Sequence, residues 1–302
     1  MFKLPDGIPS IRSSSQEWAD YAEYLALTTG KISLHQLIKT PQLVSDEIIV
    51  SGINDTTDRF NDKADEISIE INRRKNILKD RYPFNAFENG YSIQYESQDD
   101  DFNWIYRFLL LCTRLNMTKQ KIQDGIDGTQ VFEKLSSIVA KQFFGDKTEV
   151  DILGTSKADV GGFRAKLLDL TKRMREGGSI HPNPGFHPQD DNVDVVLWKG
   201  FSDQQPSQII AFGQCKTGTT WAEKLSELNT DAFCRTWFTR QPVMTPLRMF
   251  FCAQYFPIEI WLPRANEAGL VFDRFRILDY LPQNIEQELM TSIKAWCTTA
   301  LN

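Results

Sequence analysis

Asp190-Asp191-Asn192-Val193-Asp194-Val195-Val196-Leu197-Trp198 and Ile209-Ile210-Ala211-Phe212-Gly213-Gln214-Cys215-Lys216 are the two stretches on which the fold turns. Residues 193–198 and 208–216 each read as a strand, because short β-branched and apolar runs bounded by polar residues fit a pleated, buried surface. Residues 199–207 lie between them, hold Asp203 and Pro206, and should turn. An antiparallel hairpin centred on Gln204 sets Asp194 across from Gln214. Side chains alternate along a strand, so Gln214 and Lys216 share a face and Asp194 joins them there. Val193, Val195, Leu197, Ile209, Ala211 and Cys215 then make an opposite, apolar face.

Working outward, Val131, Phe132, Leu135, Ile138, Val139 and Phe143 repeat at helical spacing and stop at Gly145. A short strand over 149–153 and a helix over 163–176 follow, then a Pro/Gly loop over 177–189. Beyond the hairpin, a helix is expected over 221–238, a strand over 247–253, a helix over 264–268, a strand over 270–278 and a closing helix over 284–300. Strands alternating with helices predict an α/β domain over residues 126–302. Asp124-Gly125-Ile126-Asp127-Gly128 breaks the pattern before it. Residues 1–125 read as mostly helical. Trp18, Tyr21, Ala22 and Leu25 form one apolar stripe, and Phe60, Ala64, Ile67, Ile71 and Leu78 form another on a charged segment. Asp99-Asp100-Asp101 precedes a third run from Phe102 to Leu115, where acids suit the positive end of a helix.

The 302 residues carry a net charge of -6, and neither 1–120 nor the remainder has more bases than acids. A generic basic nucleic-acid coat is therefore excluded, and a nucleic-acid site would be a local patch. Phe108-Leu109-Leu110-Leu111-Cys112, between Arg107 and Arg114, is the longest apolar run. It falls far short of the roughly 20 residues that span a bilayer, so no membrane segment is expected. The first residues show no apolar signal core. Cys112, Cys215, Cys234, Cys252 and Cys297 are odd in number and lack C-x-x-C spacing, which fits a reducing cytoplasm and neither a zinc ribbon nor a disulfide framework.

An Asp near a turn and a Lys at a strand end are, singly, ordinary solvated charges. Together with Gln214 on one face they offer a carboxylate, an amide oxygen and an amine. That combination suits hydrolysis assisted by a hard divalent cation, Mg²⁺ or Mn²⁺. Asp194 would anchor the ion, with the Gln214 side-chain oxygen or the Cys215 backbone carbonyl as further ligands. Lys216 would orient or help activate a water and stabilise developing charge.

An Asp in an apolar strand, a hairpin, and Gln-x-Lys ending the next strand resemble the PD-(D/E)xK nuclease superfamily. Gly128-Thr129-Gln130-Val131-Phe132-Glu133 looks like the helix start of its Mrr-like restriction endonuclease branch, where Gln-x-Lys is common. The resemblance implies a restriction-endonuclease-like core, a mixed sheet flanked by helices. It also implies a catalytic set of Glu133, Asp194, Gln214 and Lys216, with Glu133 completing the metal site. Val193 stands where Pro is usual, and neutral Gln214 removes one negative charge from the metal site. The implied activity is Mg²⁺-dependent endonucleolytic cleavage of DNA, leaving a 5′-phosphate, in restriction or anti-phage defence. The N-terminal helical region would sense a signal, bind a protein partner or support a homo-oligomer. Two other readings stand beside this one: a catalytically weak or inactive binding or scaffold protein on the same fold, and an RNA-directed nuclease.

Arg164, Lys166, Lys172, Arg173 and Arg175 cluster on one helix, and Arg164, Lys172, Arg173 and Arg175 are the expected phosphate contacts. Arg235, Arg240 and Arg248 are the alternative. Thr217, Thr219 and Thr220 suit phosphate or a helix cap. His35, His181 and His187 read as loop or surface histidines, too few for zinc. Cys215 reads as a packing residue, since no base is placed beside it.

Overall fold

The computed structural model describes residues 7–10, 12–38, 53–154, 160–182, 192–218 and 220–302; His187, Asp190, Asp191 and Thr219 lie outside them. The chain divides into two compact units. One holds 1–125, 255–257 and 293–302; the other holds 126–254 and 258–292.

In the first unit, α1 (Ser15–Thr29) leads to β1 (Lys31–Ser33), α2 (Leu34–Ile38) and α3 (Ile53–Leu78). The hairpin β2 (Phe84–Phe87) and β3 (Ser92–Tyr95) follows, then α4 (Asp101–Arg114). The Ser14 hydroxyl caps α1 and the Asp100 carboxylate caps α4, each accepting a main-chain N–H three residues on. The expectation of a mostly helical region missed a three-stranded sheet, β1-β3-β2. Positive φ at Glu88, Asn89 and Gly90 turns β2 back on β3, and Asn89-Gly90 is the turn dipeptide that the helical reading passed over.

Fully buried Arg74 holds this unit together. Its guanidinium lies 2.8 Å from carboxylate oxygens of Asp20, Glu23 and Glu70, donates to the Gln16 carbonyl at 3.0 Å and covers the Tyr255 ring. Glu23 also accepts from the hydroxyls of Tyr82 and Tyr106, at 2.7 and 2.8 Å. Burial pushes the Glu70 carboxyl up, but the charges and hydrogen bonds of Arg74 and Arg73 outweigh it and leave it below its ordinary value.

The second unit begins at the turn between β4 (Ile122–Gln123) and β5 (Ile126–Asp127), where Asp124 and Gly125 both have positive φ. It continues through α5 (Gly128–Phe144), β6 (Thr148–Ile152), α6 (Val160–Met174), β7 (Val195–Lys199) and β8 (Ile209–Lys216). Next come α7 (Thr230–Trp237), β9 (Leu247–Cys252), α8 (Trp261–Ala268), β10 (Leu270–Phe272), α9 (Arg274–Asp279) and the start of α10 (Gln287–Leu301). The sheet is mixed, in the order β10-β9-β8-β7-β6. Strands β6, β7 and β8 form an antiparallel meander, and β8, β9 and β10 run parallel. This is the expected α/β class, a mixed sheet flanked by helices.

Leu197 pairs with Ala211 and Val195 with Gly213, the register that a turn centred on Gln204 requires. Glu176, almost fully buried, pins that turn. Its carboxylate accepts main-chain N–H groups from Ser207 at 2.8 Å, Gln208 at 3.2 Å and Val243 at 2.8 Å. On one sheet face, Val196, Trp198, Ile210 and Phe212 pack with Leu167, Leu170, Phe233 and Trp237 from α6 and α7. Burying side chains of this size is worth about 1.5–3 kcal/mol each. Helix α5 lies against β6, β7 and β8.

Three expectations are corrected. Val193 belongs to the α6–α7 core, and both faces of β8 are buried; the Asp194–Gln214–Lys216 face is thus the end of an apolar face, not a separate polar one. The helix expected over 221–238 is broken into a short 3₁₀ turn (Trp221–Glu223) and α7, because the Asn229 side chain caps a new helix by accepting from Ala232 N at 2.9 Å. The strand expected over 270–278 stops at Phe272, where Asp273 caps α9.

The Glu70 contribution to stability, arising from a depressed carboxyl, is complete above the ordinary Glu value of 4.5 and is lost as pH falls through the lower folded value. Chemical denaturation between pH 7 and 3 should show a flatter acid limb in Glu70→Gln than in the parent. Arg74→Met, which leaves Asp20 and Glu23 buried without their cation while Glu70 keeps Arg73, should cost about 3–5 kcal/mol at pH 7.

Candidate functional site

The site residues sit where β7 begins and β8 ends. Positive φ at Asn192 swings the chain into this end of the sheet. The Asp194 main chain extends the ladder: its N–H donates to Gly213 O at 2.9 Å, and its carbonyl accepts from Leu153 N at 2.9 Å. The Asp194 carboxylate accepts the Cys215 main-chain N–H at 2.6 Å, which fixes its direction across the end of β8. A strand residue directs its N–H and C=O to the same edge. The Cys215 carbonyl therefore faces the edge where Asp194 sits.

Gln214 is completely buried. Its Nε2 donates to Glu227 Oε2 at 2.9 Å, while its Oε1 has no hydrogen-bond partner. Lys216 Nζ lies 3.4 Å from the same Glu227 Oε2, and Lys224 Nζ lies 2.5 Å from Oε1. Burial raises the Glu227 carboxyl, but the Lys224 hydrogen bond, the Lys216 charge and the Gln214 hydrogen bond bring it below its ordinary value. Glu227 thus stays ionised. The sequence reading missed it because residues 221–238 read as one helix, and the break before α7 is what returns Glu227 to the strand end.

Glu133 lies in the first turns of α5, which Asp127 caps by accepting from Thr129 N at 2.9 Å. Its neighbours Ser136, Ser137 and Ala140 are buried, so its side of the helix turns toward the sheet. The Cys215 thiol marks the meeting point. Burial pushes it well above its ordinary value, and the Asp194 and Glu133 charges push it further, against the charge of Lys216. Cys215 is thus a neutral packing thiol, as its sequence context indicated, and it sits within electrostatic range of Glu133, Asp194 and Lys216.

Glu133, Asp194, the Cys215 carbonyl and the unpartnered Gln214 Oε1 are oxygen donors, the kind a hard divalent cation takes. Among the described residues there is no group of three or more His, Cys, Asp and Glu side chains that could hold a metal. Two carboxylates, one amide oxygen and one main-chain carbonyl are the donors that this end of the sheet offers.

The basic helix is split along its length. Arg164 donates to the His181 carbonyl at 2.8 Å, and Lys166 to the Leu153 carbonyl at 3.3 Å; Leu153 itself bonds Asp194. Arg173 covers the Trp198 ring and pairs with Asp169 at 2.7 Å and with Asp151. Arg175 lines a cleft beside Trp198, Gly200 and Gln208, at the hairpin turn. Trp198 is four residue steps along the chain from Asp194, about 13 Å at strand rise. The structure thus places Arg173 and Arg175 near the opposite end of β7 from Asp194. Lys172 is exposed on the same helix.

A Cβ on Gly154 would collide with Glu133 Oε2 and come within 3.1 Å of its Cδ. The obstacle is the far end of a flexible side chain, so Gly154→Ala should move the Glu133 carboxylate at little cost to the fold. The expected outcome is a melting temperature within a few degrees of the parent, about what a 1 kcal/mol change gives in a chain this size, with any activity that needs Glu133 strongly reduced. Against known proteins, the chain matches no family profile, no curated protein and no solved structure.

Proposed function

We propose that this chain is a metal-dependent endonuclease that hydrolyses DNA phosphodiester bonds, acting in restriction or anti-phage defence. The observation that carries the reading is the β7–β8 register. It ends with Val195 on Gly213, so Asp194 and Gln214 follow at the end of a mixed sheet, where a buried amide oxygen is left without a partner. The restriction-endonuclease-like arrangement that the sequence resembles needs these residue types at this place in the sheet.

Asp194, the Cys215 carbonyl, Gln214 Oε1 and Glu133 would hold Mg²⁺ or Mn²⁺. Such an ion, when bound, supplies a nucleophilic water and neutralises charge on the phosphoryl oxygens. The chain's own contribution is orientation and charge. The Cys215 N–H keeps the Asp194 carboxylate at the strand end. Lys216, about a quarter exposed and held near Glu227, presents a positive charge to a phosphoryl group entering from solvent. Lys166 on α6 is linked to Asp194 through Leu153, while Arg164 and Lys172 on the same helix and Arg175 just past its end add positive charge.

A binding or scaffold role on the same fold is the second reading. The observation favouring it is the pairing of Lys216 with Glu227, which offsets the charge a phosphate would meet. An RNA substrate is a variant of the first reading.

Purified chain incubated with supercoiled plasmid, linear duplex DNA and RNA, with Mg²⁺, Mn²⁺ or chelator, separates these readings. Asp194→Ala and Lys216→Ala should each lower the plasmid cleavage rate by about 10²-fold or more while circular dichroism shows the parent fold. Parent-level cleavage by either folded variant would remove that residue from the site. Plasmid binding without cleavage by the parent would establish the scaffold reading.

A further inference from the structure

We propose that Glu227 is a positioning residue of this site: it turns the Gln214 carboxamide so that Oε1 is offered as an acceptor, and it anchors the Lys216 ammonium at the end of β8. What the site does rests on the nuclease reading; what Glu227 does rests on geometry.

A carboxylate has only acceptors, so an amide that meets it must turn its NH₂ toward it. Glu227 Oε2 takes Gln214 Nε2 at 2.9 Å, which commits Oε1 to the other limb of the amide. That oxygen is buried and has no hydrogen-bond partner. Buried amides normally satisfy both limbs, and this one holds an unsatisfied acceptor in place through a charge-assisted bond. The same Glu227 oxygen lies 3.4 Å from Lys216 Nζ, so one atom sets two side chains that alternate with Cys215 along β8. The other oxygen is engaged by Lys224, on the loop that carries Glu227. A surface ion pair with Lys224 alone would not explain why the amide NH₂ faces inward to it.

The test uses the full chain. The Gln214 side-chain NH₂ resonances, assigned by their disappearance in Gln214→Ala, report the bond to Glu227 directly. Glu227→Gln should displace them, because a charge-assisted hydrogen bond becomes a neutral one. Lys224→Met should leave them in place. Unmoved resonances in a folded Glu227→Gln chain would overturn the assignment. In plasmid cleavage with Mg²⁺, Glu227→Gln and Glu227→Ala should lower kcat about tenfold or more with KM changed less than about twofold, the pattern of lost positioning rather than lost binding. Glu227→Asp, which keeps the charge, should recover part of kcat. An unchanged kcat in Glu227→Ala also overturns the proposal. A parent chain that fails to cut with either Mg²⁺ or Mn²⁺ overturns the nuclease reading, while the resonances still decide Glu227.

Discussion

The register of β7 on β8 is the constraint from which the second unit follows. A one-residue slip in a sheet sends every side chain to the other face. Here that would exchange Phe212 and Ile210 for Ala211 and Gly213 against α6 and α7. Two carboxylates prevent it from opposite ends. Glu176 gathers three main-chain N–H groups at the turn, and Asp194 takes the Cys215 N–H where the ladder runs out. Strand β8 is then paired on both edges, antiparallel to β7 and parallel to β9, so its last residues are presented as one rigid strip.

The two units treat buried polarity differently. Around Arg74, every direction of the guanidinium meets a carboxylate, a carbonyl or an aromatic face, and the arrangement stabilises only if it is complete. At the end of β8, Gln214 is just as buried, yet its amide oxygen is left open. An unsatisfied acceptor of this kind costs about 1–3 kcal/mol. A bound ligand could relieve that cost, which is why the proposed site is drawn around this oxygen.

Much of the second unit was legible in the sequence because its signals are local. The hairpin follows from two apolar runs around a polar turn, and the helix of Glu133 from a regular apolar stripe between the Asp/Gly breaker at 124–128 and Gly145. What escaped has the opposite character. Trp221, Leu225 and Leu228 recur at helical spacing, yet they are buried from a 3₁₀ turn and loop, so periodicity concealed the break that delivers Glu227. The β1-β3-β2 sheet escaped although Asn89-Gly90 announces its turn, because its strands, Lys31–Ser33, Phe84–Phe87 and Ser92–Tyr95, are too short to show an alternation. The division of α6 between two ends of the sheet needed the observed packing, because charge along one helix carries no mark of which end meets Asp194.

The spacing of these residues along the chain also sets an order of assembly. Asp194, Gln214, Lys216 and Glu227 lie within one short stretch, joined across 21 residues by the Asp194–Cys215 bond and across 13 by the Gln214–Glu227 bond. Loops of this size close at modest entropic cost, and each doubling of length adds only about 0.6 kcal/mol. Glu133 comes from α5, well upstream, and β9 from well downstream. The hairpin and its loop can therefore gather most of the polar cluster early in folding. The carboxylate from α5 and the rigid backing of β9 arrive only when the whole unit has condensed, so the complete donor set exists only in the finished fold.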